Sequence, residues 1–382
     1  MNKKTIKYIG FYDSSSNTVE KRNFRLSATN KMDYIIKALN EIGYDVEIIS
    51  PSWTIKNKFY RGKALKIKDN VILRLFPTLP WYGKILKIIS VIFSFSVMFF
   101  YLLFRTNTNE QVIIYHSKWM SLPILFLKKI KSNLTIVLEV EEVYSDVKGS
   151  KFWKLIEYKL FKVMDKYIFP TELLNKKLNI ENKPYAIVYG DYHVKEISRT
   201  RFEDGKIHIV YAGTFDPKKG GALAAAAVAE YLPDIYHVHI LGFGSNKEIS
   251  LLLDKIEQVT KKSNATLTYD GLLKGQEYIE FLQKCDIGLS TQTPDATYNE
   301  SSFPSKILSY MANGLTVVSA RIKVIEISEI GNAVFYYNEQ SPKDIADTIL
   351  SIDINEVNDS RSMIKRLDKQ FVKKLKKLLK NE

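Results

Sequence analysis

Cysteine is nearly missing from this 382-residue chain: Cys285 is the only one, and it lies in the largely apolar run 285–289. A disulfide framework is thereby excluded, and the residue reads as a small buried side chain in a reducing compartment. No activating neighbour accompanies it, so a catalytic thiol is not expected. There is no C-x-x-C pair, and the five histidines (His116, His193, His208, His237 and His239) make no H-E-x-x-H pattern, so the spacing predicts no protein-bound metal. Glycine and proline are sparse, at 17 and 11, with no low-complexity tract and no repeat at a solenoid period, which leaves a globular protein. Acidic residues are also in deficit. Against 56 lysines and arginines stand 42 aspartates and glutamates, a formal charge of +14 that points to an anionic partner.

The distribution of that charge selects the partner. Lys56, Lys58, Arg61, Lys63, Lys66 and Lys68 form one cluster, and Lys365, Arg366, Lys369, Lys373, Lys374, Lys376, Lys377 and Lys380 form another. In the second, Ile364, Leu367, Phe371, Leu375 and Leu378 recur at spacings of three and four, so residues 361–382 read as a basic amphipathic helix. Such a helix lies either on the protein body with its lysines in water or on an anionic membrane surface. No nucleic-acid-binding motif accompanies the charge, so nucleic acid is not an expected partner. One uncharged run, 88–104, approaches the length of a bilayer span and is flanked by Lys84, Lys87 and Arg105. Two features oppose a span. At about 100° per residue Lys87, Ser90, Ser94, Tyr101 and Arg105 fall on one narrow stripe, and the strand-like runs on either side of the helix belong to one sheet. The run is expected to pack on that sheet with an apolar face left over, covered by neighbouring elements or dipped into a membrane interface. Asn2, Lys3, Lys4 and Lys7 lead directly into the first strand, without an apolar signal segment.

Short apolar strands alternate with helix-length segments throughout, the pattern of parallel sheets wound with helices on both faces. The length exceeds one ordinary core, so two domains are expected: residues 1–194, a polar linker at 195–206, and residues 207–360 ahead of the terminal helix. Strands are read at 8–12, 46–50, 71–76, 112–116, 134–139, 167–170 and 185–189, then at 207–212, 236–241, 266–269, 287–290, 315–319 and 333–337. The fold class is α/β, two doubly wound Rossmann-like domains facing a central cleft, where such folds bind ligands.

Three segments of the second domain suit a diphosphate. In Phe303-Pro304-Ser305-Lys306-Ile307-Leu308-Ser309-Tyr310-Met311-Ala312-Asn313-Gly314, Pro304 sets a first helical turn and Gly314 ends the helix. Lys306 sits where that turn's free N–H groups face outward, and the two reinforce one another on an anion. The loop 211–221 follows a strand; Gly213 permits close backbone approach, and Lys218 or Lys219 reaches a phosphate as a point charge. Leu241-Gly242-Phe243-Gly244-Ser245 closes another strand, although it is not the full G-x-G-x-x-G fingerprint.

Together these segments resemble the donor domain of GT-B glycosyltransferases, especially the family four enzymes that build bacterial surface polysaccharides. Gly213-Thr214-Phe215-Asp216-Pro217-Lys218-Lys219-Gly220 is similar to that family's G-R-L-x-x-x-K-G-like loop, and residues 303–314 to its F-P-S-K-I-x-E-Y-M-A-x-G-like segment. The resemblance implies donor contacts from Gly213, Thr214, Lys218, Lys219, Gly242, Phe243, Gly244, Asp270, Leu272, Glu300, Ser302, Phe303, Pro304, Ser305, Lys306 and Ser309, with Lys219 and Lys306 on the diphosphate. Thr214 stands where the family has arginine, and Ser301 and Ser309 where it has two glutamates; Glu300 adjoins the first and is placed to substitute for it. The chain has no D-x-D triplet, which agrees with a metal-independent transfer in which the nucleotide sugar is a substrate and no cofactor is required. Retention of anomeric configuration is implied by the resemblance alone.

For the acceptor, Leu138-Glu139-Val140-Glu141-Glu142-Val143-Tyr144-Ser145-Asp146 sets several carboxylates at a strand's end, where Glu141 and Glu142 are placed to orient sugar hydroxyls or accept a proton. His116, at the end of a neighbouring strand, is the third candidate for proton transfer. The resemblance adds the turn 28–32, with Asn30 and Lys31, together with Tyr144 and the Gly190-Asp191-Tyr192 turn. The expected activity moves a sugar from a nucleoside diphosphate to a lipid-linked or saccharide acceptor, with the protein peripheral on the cytoplasmic membrane face. The alternatives are a membrane-bound scaffold that keeps the GT-B fold without turnover and a GT-B sugar-nucleotide epimerase.

Overall fold

A computed structural model of the chain describes residues 4–14, 22–51, 54, 58–80, 82–107, 109–147, 150–197, 201–216, 221–294, 299, 302–354, 356 and 359–380. It divides into two units, Met1–Tyr189 with Gln370–Glu382, and Gly190–Lys369.

The first unit is built on β1 (Lys4–Ile9), β2 (Tyr44–Ser50), β3 (Lys63–Lys68), β4 (Val71–Leu75), β5 (Gln111–Tyr115), β6 (Thr135–Glu139), β7 (Lys166–Phe169) and β8 (Tyr185–Ile187). Their order is β3-β4-β2-β1-β5-β6-β7-β8, parallel throughout except where β3 runs against β4. The chain leaves β1 towards β2 and later returns to β5 on its other side, so the sheet's topological switch lies between β1 and β5. β3, with the sequence KALKIK, is an edge strand hidden inside the first basic cluster; its exposed lysines discourage pairing with another chain. The helices are α1 (Leu26–Glu41), α2 (Gly83–Arg105), α3 (Lys118–Ile130), α4 (Tyr144–Val147), α5 (Lys151–Val163) and α6 (Glu172–Leu178). Residues 28–32, expected as a turn, lie within α1. The segment has neither glycine nor proline, and Ala28, Met32, Ile35, Ile36 and Leu39 make a buried helical stripe.

Only one described helix, α2, is long and apolar enough to cross a membrane. Ser90, Ser94 and Tyr101 of its polar stripe face inward, while Lys87 and Arg105 are exposed. Ser90 donates to the Leu79 carbonyl at 2.9 Å, and the Tyr101 hydroxyl donates at 2.7 Å to Glu47, the carboxylate that also takes the Arg74 Nε hydrogen bond at 2.7 Å. Val91, Phe95, Met98 and Leu102 enter the core beside them. Outward stand Ile85, Ile88, Ile89, Ile92, Phe100 and Phe104, all exposed, so this face is not covered by neighbouring elements.

The second unit carries β9 (Ile207–Thr214), β10 (Tyr236–Phe243), β11 (Thr266–Gly271), β12 (Ile287–Ser290), β13 (Thr316–Ala320) and β14 (Val334–Tyr337), all parallel, in the order β11-β10-β9-β12-β13-β14. Here the switch falls between β9 and β12. The helices are α7 (Gly221–Val228), α8 (Asn246–Thr260), α9 (Gly275–Lys284), α10 (Ser305–Ala312), α11 (Lys323–Glu326), α12 (Pro342–Leu350) and α13 (Ser360–Lys380). From Gln370 onward α13 belongs to the first unit, where Phe371 stacks on Tyr34 and Gln111 donates to the Leu379 carbonyl at 2.6 Å. Its apolar stripe Ile364, Leu367, Phe371, Leu375 and Leu378 is buried while its lysines are exposed, so that stripe is not available to a membrane.

Candidate active site

Crowding dictates the glycines where β9 and β10 end. Gly213 and Gly242 are register partners, Gly242 has φ of +139°, and a Cβ on it would lie 1.7 Å from the Gly213 carbonyl oxygen. Tyr211, two residues before Gly213, fills the space below; a Cβ at Gly221 would come within 2.4 Å of its hydroxyl. Lys306 Nζ sits 4.1 Å over the Tyr211 ring, and a Cβ at Gly213 would stand 3.3 Å from that nitrogen. The ammonium is therefore steadied by an aromatic face and laid beside bare backbone.

Tyr310 fixes the helix that carries this lysine. Its hydroxyl accepts from the Ala212 amide at 2.8 Å and donates to the Leu289 carbonyl at 3.3 Å, tying α10 to β9 and β12 at the switch. Gly288 leaves room for the ring, since a Cβ there would come within 2.4 Å of it. The helix begins at Ser305, one residue later than expected, because Pro304 takes extended backbone at the N-cap. No side chain caps that end, which is the positive end of the α10 dipole and carries Lys306. Gly314, at φ of +92°, ends it, with the Leu315 amide donating to the Tyr310 carbonyl at 3.1 Å.

Other donor candidates divide. Thr214 closes β9, Phe243 is exposed, and Gly244 packs against Phe215 and Glu248 just ahead of the Ser245 capping box of α8. Leu272, Ser302 and Ser305 are exposed, whereas Phe303 and Pro304 are buried. Two residues are engaged elsewhere. Ser309 pairs with Tyr278 of α9, and the Asp270 carboxylate takes the Thr268 hydroxyl at 3.0 Å and faces His239 at 3.1 Å. Lys218, Lys219, Glu300 and Ser301 lie outside the described residues.

In the first unit the carboxylates after β6 have distinct surroundings. Lys31 is buried, pairs with Glu141 and donates to the Val188 carbonyl at 3.3 Å, while Asn30 beside it is exposed. Glu142 is half-buried, and its carboxyl is raised by burial. Glu139, which was not singled out from the sequence, is completely buried and accepts from the Tyr8 hydroxyl. Burial, reinforced by the charge of Glu141 and opposed by Lys31 and Tyr8, pushes its carboxyl up to about 8.

His116 does not have the surroundings of a base. It is buried, stacks against Tyr144 and Phe161, and stands with Nε2 3.3 Å from Glu157 Oε1. Burial holds it down to about 3, outweighing a backbone contact at Glu142 that raises it, so the imidazole is neutral near pH 7 and positions its neighbours. Glu157 accepts from the Tyr144 and Ser145 amides at 3.0 and 2.8 Å, holding the start of α4. Asp191, expected with the acceptor groups, falls in the second unit, where its carboxylate accepts from the His193 amide at 2.9 Å.

Residues 206–353 match the family model described as glycosyl transferases group 1. The match covers less than half of the chain. The whole glycosyltransferase chain follows the GT-B fold. It covers 98% of its own length and 97% of a trehalose-6-phosphate structure from E. coli bound with UDP-2-fluoro glucose, at a TM-score of 0.69 and 10% identity. Against sucrose-phosphate synthase from Thermosynechococcus elongatus the TM-score is 0.68 at 12% identity, over 99% and 98% of the two chains. An Anabaena protein in complex with UDP gives 0.61 at 12% identity, again over 99% and 98%. At these identities the likeness establishes the fold. No curated protein matches this glycosyltransferase.

Proposed function

We propose that this glycosyltransferase moves a sugar from a UDP-linked donor to a lipid-linked or saccharide acceptor on the cytoplasmic membrane face. The observation that carries the reading is Lys306, seated over Tyr211 and beside Gly213 at the uncapped start of α10. As the anomeric carbon–oxygen bond breaks, negative charge grows on the departing diphosphate. A fixed ammonium and helix-terminal N–H groups stabilise that charge without a resident metal. Lys219 and Glu300 keep the donor roles implied by the resemblance. UDP is favoured because two of the similar structures hold UDP or a UDP sugar. The new glycosidic bond forms to an acceptor hydroxyl, whose proton we assign to Glu142, a half-buried carboxylate raised by burial; Glu141, held by Lys31, orients the acceptor. We include retention of configuration in the reading.

A lipid-borne acceptor is supported by the outer face of α2. Its exposed isoleucines and phenylalanines are joined by Trp119, Phe126 and Ile130 of α3 and by Phe152 and Leu155 of α5, in a series of helices that pack α2 on α3 and α3 on α5. Exposed Lys84, Lys87, Arg105, Lys129, Lys151 and Lys154 rim them, which suits an anionic lipid surface. The test is to supply a panel of labelled UDP sugars with membrane lipid extract and follow label into the organic phase. The reading predicts transfer that Lys306→Ala abolishes. Label entering only an added sugar phosphate would overturn the lipid acceptor, and no turnover with any donor would favour a scaffold.

A further inference from the structure

Strand register gathers three of the chain's five histidines away from the donor site. His237 on β10 is the partner of His208 on β9, and His239 follows two residues on, so all three share one face of the sheet. Asp204 precedes β9, and Asp270 lies on β11 beside them. The outer nitrogens are already engaged: Asp204 Oδ1 is 2.9 Å from His208 Nε2, and Asp270 Oδ2 is 3.1 Å from His239 Nδ1. A carboxylate accepts, so each of those nitrogens carries the hydrogen, and a neutral imidazole has only one. That leaves His208 Nδ1 and His239 Nε2 as lone pairs aimed at each other, 2.9 Å apart. Two lone pairs in that position repel unless a cation lies between them.

The cation is a proton or a metal ion, and a proton occupies only two of the three rings. The ring of His237 stacks on His239 at 3.8 Å, and one nitrogen from each of the three histidines lies within 4.8 Å of the others. We propose that His208, His237 and His239 bind one zinc ion. Neutral imidazoles without a thiolate suit zinc, and a carboxylate behind a ligating imidazole is the arrangement that fixes its tautomer and raises its basicity. Zinc–nitrogen bonds of about 2.0–2.1 Å separate tetrahedral ligands by about 3.3 Å, so the facing pair opens by only a few tenths of an ångström. Phe202 stacks on His208 at 4.1 Å, and Phe281 stands edge-on to His239 at 5.1 Å, shielding the buried pair. His237 is half-buried and leaves an approach for the ion and for a water as fourth ligand. His208 precedes Gly213 by five residues of strand, about 16 Å, so the ion is structural and pins the starts of β9 and β10 to the preceding segment.

To test this, the full-length protein is stripped with chelator, given zinc chloride and passed through gel filtration. Wild type is expected to retain about one zinc per chain, to unfold at a higher temperature with zinc, and to show the visible absorption of tetrahedral cobalt when cobalt(II) replaces it. His208→Gln and His239→Gln are expected to lose both the retained zinc and the thermal shift. Asp270→Asn should weaken binding about 10- to 100-fold, and His193→Gln should change nothing. If the histidine variants do not fold, the cobalt spectrum of wild type and its displacement by zinc decide. Absence of retained zinc and of the cobalt spectrum in wild type overturns the proposal, and so does equal zinc retention by folded His208→Gln.

Discussion

Glu139 makes the sharpest residue-scale statement, because a carboxyl held at about 8 in the folded chain and near 4.5 in the unfolded one links stability to pH. Below both values each state holds the proton. Between them the unfolded carboxyl ionises while the folded one stays protonated, so stability falls as pH rises from about 4.5 to about 8 and levels off above. Glu139→Gln should remove that slope and gain most at the alkaline end, measured as denaturant midpoints across the window. An unchanged slope would place its origin elsewhere. Gly242→Ala should cost at least about 2 kcal/mol, since the methyl meets the Gly213 carbonyl and the backbone sits at positive φ; thermal unfolding reads it. Both glycine loops were legible as strand-end turns, but the Gly213–Gly242 contact depends on strand register. Glu139 was one acid among several in its segment, and nothing local distinguishes the one that β6 turns into the core. The H-x-H pair at 237 and 239 was visible too, yet its third member comes from another strand.

Among the elements, α2 shows what periodicity settles and what it leaves open. The stripe of Ser90, Ser94 and Tyr101 marked one face as different, and the structure turns that face to the sheet, where the Ser90 and Tyr101 hydroxyls find the Leu79 carbonyl and Glu47. On the proposed reading the outward isoleucines are the surface that meets lipid. Ile88→Glu combined with Ile92→Glu should lower partition onto anionic vesicles by at least about tenfold, each lost isoleucine contact being worth roughly 1.5–3 kcal/mol. Circular dichroism should be unchanged, since both residues are exposed; undiminished vesicle binding would remove α2 from the interface. The apolar strands of both sheets were readable as short buried runs, whereas β3 was not, because an edge strand of alternating lysines looks like a solvated basic loop.

At the scale of the whole molecule, two doubly wound units carry an excess of positive charge that neither core requires. If that charge holds the protein at anionic lipid, vesicle binding should weaken steeply as salt rises through physiological strength, and salt-independent binding would assign it wholly to the apolar face. The GT-B architecture was legible from strand–helix alternation and from the resemblance carried by three segments of the second domain, but the sugar and its acceptor are set by side chains whose surroundings no sequence spacing records. The central claim is that the second unit holds a nucleoside diphosphate on Lys306. Calorimetric titration of UDP into wild type and Lys306→Ala tests it most directly. The account predicts saturable binding by wild type and an affinity lower by about 10- to 100-fold in the variant, the usual worth of a hydrogen bond to a charged group. Equal affinity in the two proteins, or no UDP binding by wild type, would contradict it.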